Sequence, residues 1–332
     1  MTSKQLLSVS TIFIVIVNYK TPELTIDCLK SLTQEIPLIP DLKVAVVDND
    51  SQDGSVEKIQ DTIKKERFSS WVSLIPSNKN GGFSFGNNLA IRPVLNGQNP
   101  PAYFLLLNPD TVIHFGAIKT LINFMNNHPE IGIAGSRLEE PDGTPQRSAF
   151  RFPSIFSEFD NALRLGIVSK LLKRWIVAPP VPENLCQTDW VAGASMIIRR
   201  EVFEAIGLLD EEYFMYFEEV DFCLKANKAG WLCWYVPDSR VIHFVGQSSG
   251  VTNTKIPPKR RPQYWFDSRQ RFFIKNYGLV YAALTDFVAL IGFILWKIRA
   301  NIQGKVCNLP PQFLGDFWNN AVWMKRKSQL PS

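Results

Sequence analysis

The chain opens as a succession of short apolar runs separated by stretches of helical periodicity. Residues 12–17, 44–47, 71–75, 103–107 and 131–134 are rich in β-branched and aromatic side chains and nearly free of polar ones. Runs of this kind suit strands buried on both faces of a parallel sheet. Between them, residues 22–36, 54–67, 82–95 and 115–127 carry helical patterns, the first with Pro22 in its opening turn. The order βαβαβαβ predicts an open α/β sheet whose ligand sits beyond the carboxyl ends of the strands.

Those carboxyl ends are where polar residues gather. Asn18-Tyr19 follows the first strand, Asp48-Asn49-Asp50-Ser51 the second, the run from Ser77 through Asn78 to Gly82 the third, and Asn108-Pro109-Asp110 the fourth. Any one of these is ordinary turn chemistry. Four successive strands delivering polar groups to one edge point instead to a site.

Beyond residue 135 the alternation fades. Pro141-Asp142-Gly143 predicts a turn and residues 151–185 a helical insert. Residues 190–198 predict a strand with small residues in its first half, 201–206 a short helix, and 217–229 a longer helix closed by Gly230. Two more strands are expected at 231–236 and 240–244, and no internal repeat is visible.

Composition sharpens this in one respect. The 332 residues are 45% hydrophobic and 20% charged, which excludes a disordered, collagenous or coiled-coil chain. The net charge of +5 conceals two unlike regions: from Lys255 onward 13 basic residues face three acidic ones, a net +10, leaving residues 1–254 with 23 against 28, a net −5. Anionic partners are therefore expected at one end only. Nucleic acid is set aside because no recognition module accompanies the charge. Five cysteines without a CxxC pair argue against a disulfide framework or zinc site and for a reducing compartment. Met1 to Ser10 is mostly polar, and the run at 12–17 is too short for a signal-peptide core, so a cytoplasmic location is expected.

Four clusters carry chemistry. Asp110 sits just past a buried strand, where a carboxylate is a hard oxygen ligand for Mg²⁺ or Mn²⁺, although an Asp there can equally cap the next helix. Glu218-Glu219-Val220-Asp221 opens a helix, as dipole-complementing acids often do. The aromatic approach Tyr213-Phe214-Met215-Tyr216-Phe217 would wall a carboxylate off from water and raise its pKa toward that of a general base. Glu219 and Asp221 point about 200° apart on a helix and cannot share a role. His243, ending an apolar strand, is either structural or a metal ligand with Asp110 as partner. The glycine-rich run from Asn78 to Asn88 leads into a helix, where backbone N–H groups could approach a phosphate or ribose, or simply form a loop.

Taken together, Val15-Ile16-Val17-Asn18-Tyr19, the run from Val46 to Ser55, Asn80 to Asn88, Leu106 to Asp110, Trp190 to Ala194 and Phe214 to Leu224 resemble glycosyltransferase family 2, in its rhamnosyltransferase-like branch, over roughly residues 11–250. The resemblance implies an α/β, Rossmann-like GT-A fold with a mostly parallel central sheet, followed here by C-terminal helices. Residues 1–135 would form the nucleotide-sugar half, 136–254 the acceptor-binding and catalytic half of the same domain, and 255–332 a basic helical extension. The activity implied is inverting, metal-dependent sugar transfer, with L-rhamnose from dTDP-rhamnose as one donor, to a lipid-linked or polysaccharide acceptor. By the same resemblance Asp48 and Asn49 contact the base or ribose, and Asn78, Gly82, Phe83 and Asn87 line the donor pocket. Asn108-Pro109-Asp110 stands where the family has its DxD motif, leaving Asp110 and His243 to hold Mn²⁺ or Mg²⁺. Glu219 matches the catalytic base, and Trp190, Gly193 and Ala194 shape the wall between donor and acceptor.

The basic extension is either a solvated face or a set of anion-binding groups. Within it, residues 278–296 are long enough to span a bilayer, but Asp286 near their centre costs roughly 2.5–3.5 kcal/mol on insertion. Lys275, Asp286 and Lys297 recur every eleven residues and share one helical face, which predicts an amphipathic helix on the inner membrane surface or packed on the body. Two other functions compete: a catalytically degenerate glycan- or nucleotide-sugar-binding scaffold, favoured by Asn108, and a nucleotidyltransferase, disfavoured by the absence of a basic triphosphate loop after the first strand.

Overall fold

The computed structural model describes residues 12–244, 259–305 and 309–325. Lys255, Cys307, Arg326, Lys327 and the polar N-terminal residues lie outside the described residues.

β1 (Ile12–Asn18), α1 (Pro22–Leu32), β2 (Lys43–Asp48), α2 (Ser55–Lys65), β3 (Val72–Pro76), α3 (Gly82–Leu95) and β4 (Tyr103–Leu107) alternate as the sequence predicts. Then come β5 (Thr111–Ile113), α4 (Ala117–Asn127), β6 (Ile131–Glu139), β7 (Ala149–Phe150), α5 (Ile155–Leu163) and α6 (Gly166–Leu171). β8 (Cys186–Thr188), β9 (Trp190–Val191), β10 (Ser195–Arg199), α7 (Arg200–Ile206), α8 (Glu218–Lys228) and β11 (Leu232–His243) complete the α/β part. α9 (Gln263–Tyr277), α10 (Leu279–Ile302) and α11 (Phe313–Asn319) form the C-terminal helices.

The central sheet runs β3-β2-β1-β4-β10-β6-β11-β5, with β8 also on β11. β3, β2, β1 and β4 are mutually parallel; β10 is reversed and sits antiparallel to both β4 and β6. Register fixes what meets at the carboxyl edge. Asn18 lies opposite Asp48, Asp48 opposite Pro76, and Ser195 opposite Leu107. The start of the reversed strand therefore delivers Ala192-Gly193-Ala194 to the edge where β1, β2 and β4 deliver theirs.

The uninterrupted apolar strands are buried on both sides. Ile14, Ile16, Val46 and Leu105 pack against Leu29, Leu32, Ile59 and Leu121 of the helices on one face. Val15, Val47, Phe104 and Leu106 pack with Ile91, Phe203 and Phe222 on the other. Burying such side chains is worth roughly 1.5–3 kcal/mol each.

The structure departs from the sequence reading in two places. Residues 190–198 are two strands rather than one: Trp190–Val191 pairs with β7, and Ser195–Arg199 joins the main sheet. The predicted strands at 231–236 and 240–244 are one, β11, whose register shifts between Val236 and Arg240 around Pro237, which has no N–H to give to the ladder. The middle of the eleven-residue stripe packs on the body, one of the two placements the sequence allows. Asp286 is 3% exposed, ion-paired with Arg269, and accepts the Val322 N–H at 2.8 Å. Lys275 donates to Asp210 and Asp221 at 2.7 Å each, Arg271 pairs with Asp210 at 2.9 Å, and Trp296 is buried. Lys275 and Lys297, the outer members of the stripe, are exposed.

Candidate active site

A cleft of about 530 Å³ opens at the carboxyl edge of the sheet. One wall begins with Asn49, whose Nδ2 donates to Asn80 Oδ1 and to the Gly82 carbonyl, both at 3.0 Å. Gly82 has φ +83°, and a Cβ there would lie 1.9 Å from the Phe214 carbonyl oxygen. Only glycine fits at that point. The same carbonyl accepts the Phe83 N–H at 2.8 Å, tying the glycine-rich loop to the aromatic approach before α8. Gly193 faces the Phe83 ring, with 3.2 Å left for a Cβ, and with Ala194 completes this wall.

Other residues expected from sequence sit elsewhere. Asp48 is 1% exposed, its carboxylate accepting from Asn18 Nδ2 and Ser51 Oγ at 2.7 Å and from the Ser51 N–H at 3.0 Å. It holds the β1 and β2 ends together from behind. Asn87 donates to the Phe83 carbonyl at 2.9 Å within α3, and Asn78 is exposed on the loop. Trp190 stacks on Phe150 at 4.2 Å and gives its Nε1–H to the Arg151 carbonyl. None of these four is among the walls of the cleft.

The opposite wall holds a pair of acids. Glu218 and Glu219 both line the cleft, and the Oε2 of each is buried with no hydrogen-bond partner. They are placed by Tyr216 and Phe217, at φ +72° and +68°, conformations that cost bulky side chains on the order of 1–3 kcal/mol each. Burial raises the Glu219 carboxyl to about 7. Burial, reinforced by the Glu219 charge, pushes Glu218 well above the usual carboxylate range. Glu219 is thus the first of the pair to ionise. Asp221 points away, accepting from Lys275 and Asn276 at 2.7 Å, so the two acids of this helix do separate into a cleft group and a structural group.

At the floor, Asn108 and Pro109 line the cleft, while Asp110 lies just beneath at 1% exposure. His243 Nε2 stands 3.5 Å from Asp110 Oδ1. Gln146 orients that ring: its Nε2 donates to the His243 carbonyl at 2.8 Å, which leaves its Oε1 to accept from His243 Nδ1 at 3.3 Å. Nε2 is thereby turned toward the carboxylate. Among the described residues no cluster of three or more His, Cys, Asp or Glu side chains forms a self-sufficient metal site.

Sequence reasoning missed several of the walls. Glu218, Tyr216 and Tyr264 border the cleft; the first two stood in the aromatic-acidic run but were credited with no contact. Gln146 lies 97 residues from its histidine and nothing in its surroundings announced it.

The chain matches the family described as "Glycosyltransferase like family 2" over residues 10–261. It is 29% identical over 234 residues to N-acetylglucosaminyl-diphospho-decaprenol L-rhamnosyltransferase of Mycobacterium tuberculosis, covering 66% of this chain and 71% of that one. It is 26% identical over 287 residues to dTDP-rhamnosyl transferase RfbF of Shigella flexneri, covering 84% and 85%. Two solved structures share the fold: GalNAc-T7 with UDP, GalNAc and Mn²⁺ (TM-score 0.58, 15% identity, 94% of this chain and 58% of that larger one) and the Pyrobaculum calidifontis mannosyltransferase PcManGT with GDP-Man and Mn²⁺ (TM-score 0.54, 13% identity, 95% and 83%). With that likeness and the cleft at the carboxyl edge of a GT-A sheet, the chain belongs to glycosyltransferase family 2, in its rhamnosyltransferase-like branch, and is a glycosyltransferase.

Proposed function

We propose that this enzyme transfers a hexose, L-rhamnose from dTDP-rhamnose foremost, with inversion onto a lipid-linked or polysaccharide acceptor. The observation that carries the reading is Glu219: a cleft carboxyl whose Oε2 is buried without a hydrogen-bond partner and whose pKa burial raises to about 7. Such a group is poised to take the proton from an acceptor hydroxyl as that oxygen attacks the anomeric carbon. A scaffold that only bound glycans would gain nothing from two buried acids and a strained approach.

The donor would lie against Asn49, Asn80, Gly82 and Phe83, with its sugar in the cleft beside the packed pair Phe83 and Gly193. Asp48, Asn78, Asn87 and Trp190 would then act by supporting these walls. Asp110 and His243 fit a divalent cation: a buried carboxylate oxygen and an imidazole nitrogen stand 3.5 Å apart at the cleft floor, a donor pair that such an ion accepts. Bound there, Mn²⁺ or Mg²⁺ would neutralise the departing nucleoside diphosphate. The dTDP-rhamnosyl and diphospho-decaprenol relatives favour this donor and acceptor class. A cytoplasmic protein peripheral to the inner membrane face suits such an acceptor.

The test is to incubate the protein with a panel of nucleotide sugars and Mn²⁺. Selective hydrolysis of one donor, or selective protection from thermal unfolding, is expected. Equal indifference to all donors would refute the reading.

A further inference from the structure

α10 has two faces of opposite construction. Its inner face carries Ala282, Thr285, Ala289, Gly292 and Ala300, all buried. Gly292 packs so closely on α5 that an added Cβ would lie 2.7 Å from the Ala162 Cβ. Asp286 is bound to Arg269, Tyr281 accepts the Ile155 N–H at 2.9 Å, and Arg299 donates to the carbonyls of Leu163 and Arg164 at 2.9 and 2.6 Å. The helix is therefore bolted to the body along its length.

The outer face is entirely apolar. From Leu279 to Trp296 every exposed residue is a large hydrophobe, among them Val280 (75% exposed), Leu284, Phe287 (54%), Ile291, Ile294 and Leu295, and Ile298 continues the line. At 100° per residue these fall within about 100° of arc, on a helix about 36 Å long. Soluble monomers rarely leave so long an apolar strip in water. By length and mean hydropathy of 2.0 the helix could cross a bilayer. Crossing would tear Asp286 from Arg269 and strip the small-residue seam from α5, so lying in the plane is the arrangement its packing permits.

Charge selects the occupant. Residues 287–305 contain Lys297, Arg299 and Lys305 and no acid; residues 161–182, which begin where Arg299 anchors, contain Arg164, Lys170, Lys173 and Arg174 and again no acid. An apolar strip with a one-sign basic flank matches an anionic lipid surface. A second copy meeting face to face would bring like charges together.

We infer that the exposed face of α10 is a seat for an anionic bilayer surface, with the helix lying in the interfacial plane and the body held against it. α9 links this seat to the cleft: Tyr264 in its first turn borders the cleft, and its last residue leads through Gly278 into α10. The use of the seat, bringing the cleft to a lipid-linked acceptor, rests on the proposed function; the seat itself rests on α10.

The test is sedimentation of the whole protein with vesicles of equal phosphatidylethanolamine and phosphatidylglycerol, against phosphatidylcholine alone. Anionic vesicles are expected to retain the protein, and Phe287→Gln/Ile291→Gln to reduce retention by about tenfold or more at unchanged Tm. Undiminished retention of this folded variant overturns the inference, as does a parent protein that ignores anionic vesicles. Hydroxyl-radical footprinting of the parent protein needs no variant: vesicles should shield Phe287, Ile291 and Ile298 while Phe115, 69% exposed before α4, stays reactive. Equal reactivity at all four with and without vesicles also overturns it. Light scattering that finds a stable dimer, broken by the double variant with vesicle retention intact, assigns the face to a second copy instead. Nucleotide-sugar turnover, measured separately, reports on the proposed function and not on the seat.

Discussion

The N–H of Phe83 donates to the carbonyl of Phe214 across 2.8 Å, and a Cβ on the preceding residue, Gly82, would stand 1.9 Å from that oxygen. The glycine-rich loop and the strained approach to the acids thus share one contact. Gly82→Ala should separate them, through both the clash and the left-handed backbone. We expect a loss of about 2–4 kcal/mol, read as a lower Tm, and donor affinity at least tenfold weaker by calorimetry.

Glu219→Gln should lower kcat by roughly 10²–10⁴-fold while leaving donor affinity within a few-fold. The parent kcat/KM should climb as pH rises through about 7, where the buried carboxyl loses its proton. Turnover retained in the Gln variant, or a flat profile between pH 6 and 8, would assign the base elsewhere.

The same burial makes the acids a liability for stability. Their folded pKa values lie above the unfolded one, so the folded protein binds the extra protons. Their contribution is fully present below the unfolded carboxyl value and is lost as pH rises through the folded one. Glu218→Gln should therefore raise Tm by several degrees at pH 8 and by much less at pH 5, measured by calorimetric scans at the two pH values.

Removing divalent cations with EDTA should abolish donor binding, and Mn²⁺ should restore it. Asp110→Ala and His243→Ala should prevent the restoration. Gln146→Leu frees the imidazole to turn and should weaken Mn²⁺ binding by roughly 10–100-fold, as loss of partners behind metal-bound histidines does elsewhere. Unchanged Mn²⁺ affinity in all three variants would remove the proposed site.

Arg269 is 4% exposed and shared by Glu158 and Asp286. Asp286→Ala should destabilise by about 1–3 kcal/mol, since Arg269 keeps only Glu158 as a partner and the buried Val322 N–H loses its acceptor. Arg269→Met/Asp286→Leu should recover a large part of that loss in denaturant titrations, with the α10 seam still packed.

The N-terminal half was legible because its strands are buried on both faces, so local hydrophobicity alone marked them. What failed was local in one case and remote in another. Residues 190–198 read as a single strand because a lone glycine, Gly193, was the one breaker in the run, yet the chain changes sheets there. The polar spacing on α10 was visible, but its partner was not, because Asp286 pairs with a residue 17 positions away on another helix. In the site, Glu219 and His243 were visible from type and setting. Tyr264 at the cleft and Gln146 on the His243 ring were not, because each is brought there only by tertiary placement. Asp48, for its part, carried the expected chemistry but is locked behind the wall by Asn18 and Ser51.

The reversed strand β10 has a consequence for how this protein could be divided. It is made late in the chain, from residues 195–199, yet it is the slat between β4 and β6. A fragment ending near residue 135 would therefore expose the unpaired edge of β4, inviting association with other chains. Residues 12–135 and 136–244 are woven rather than hinged, and should be inherited, expressed and lost as a single unit.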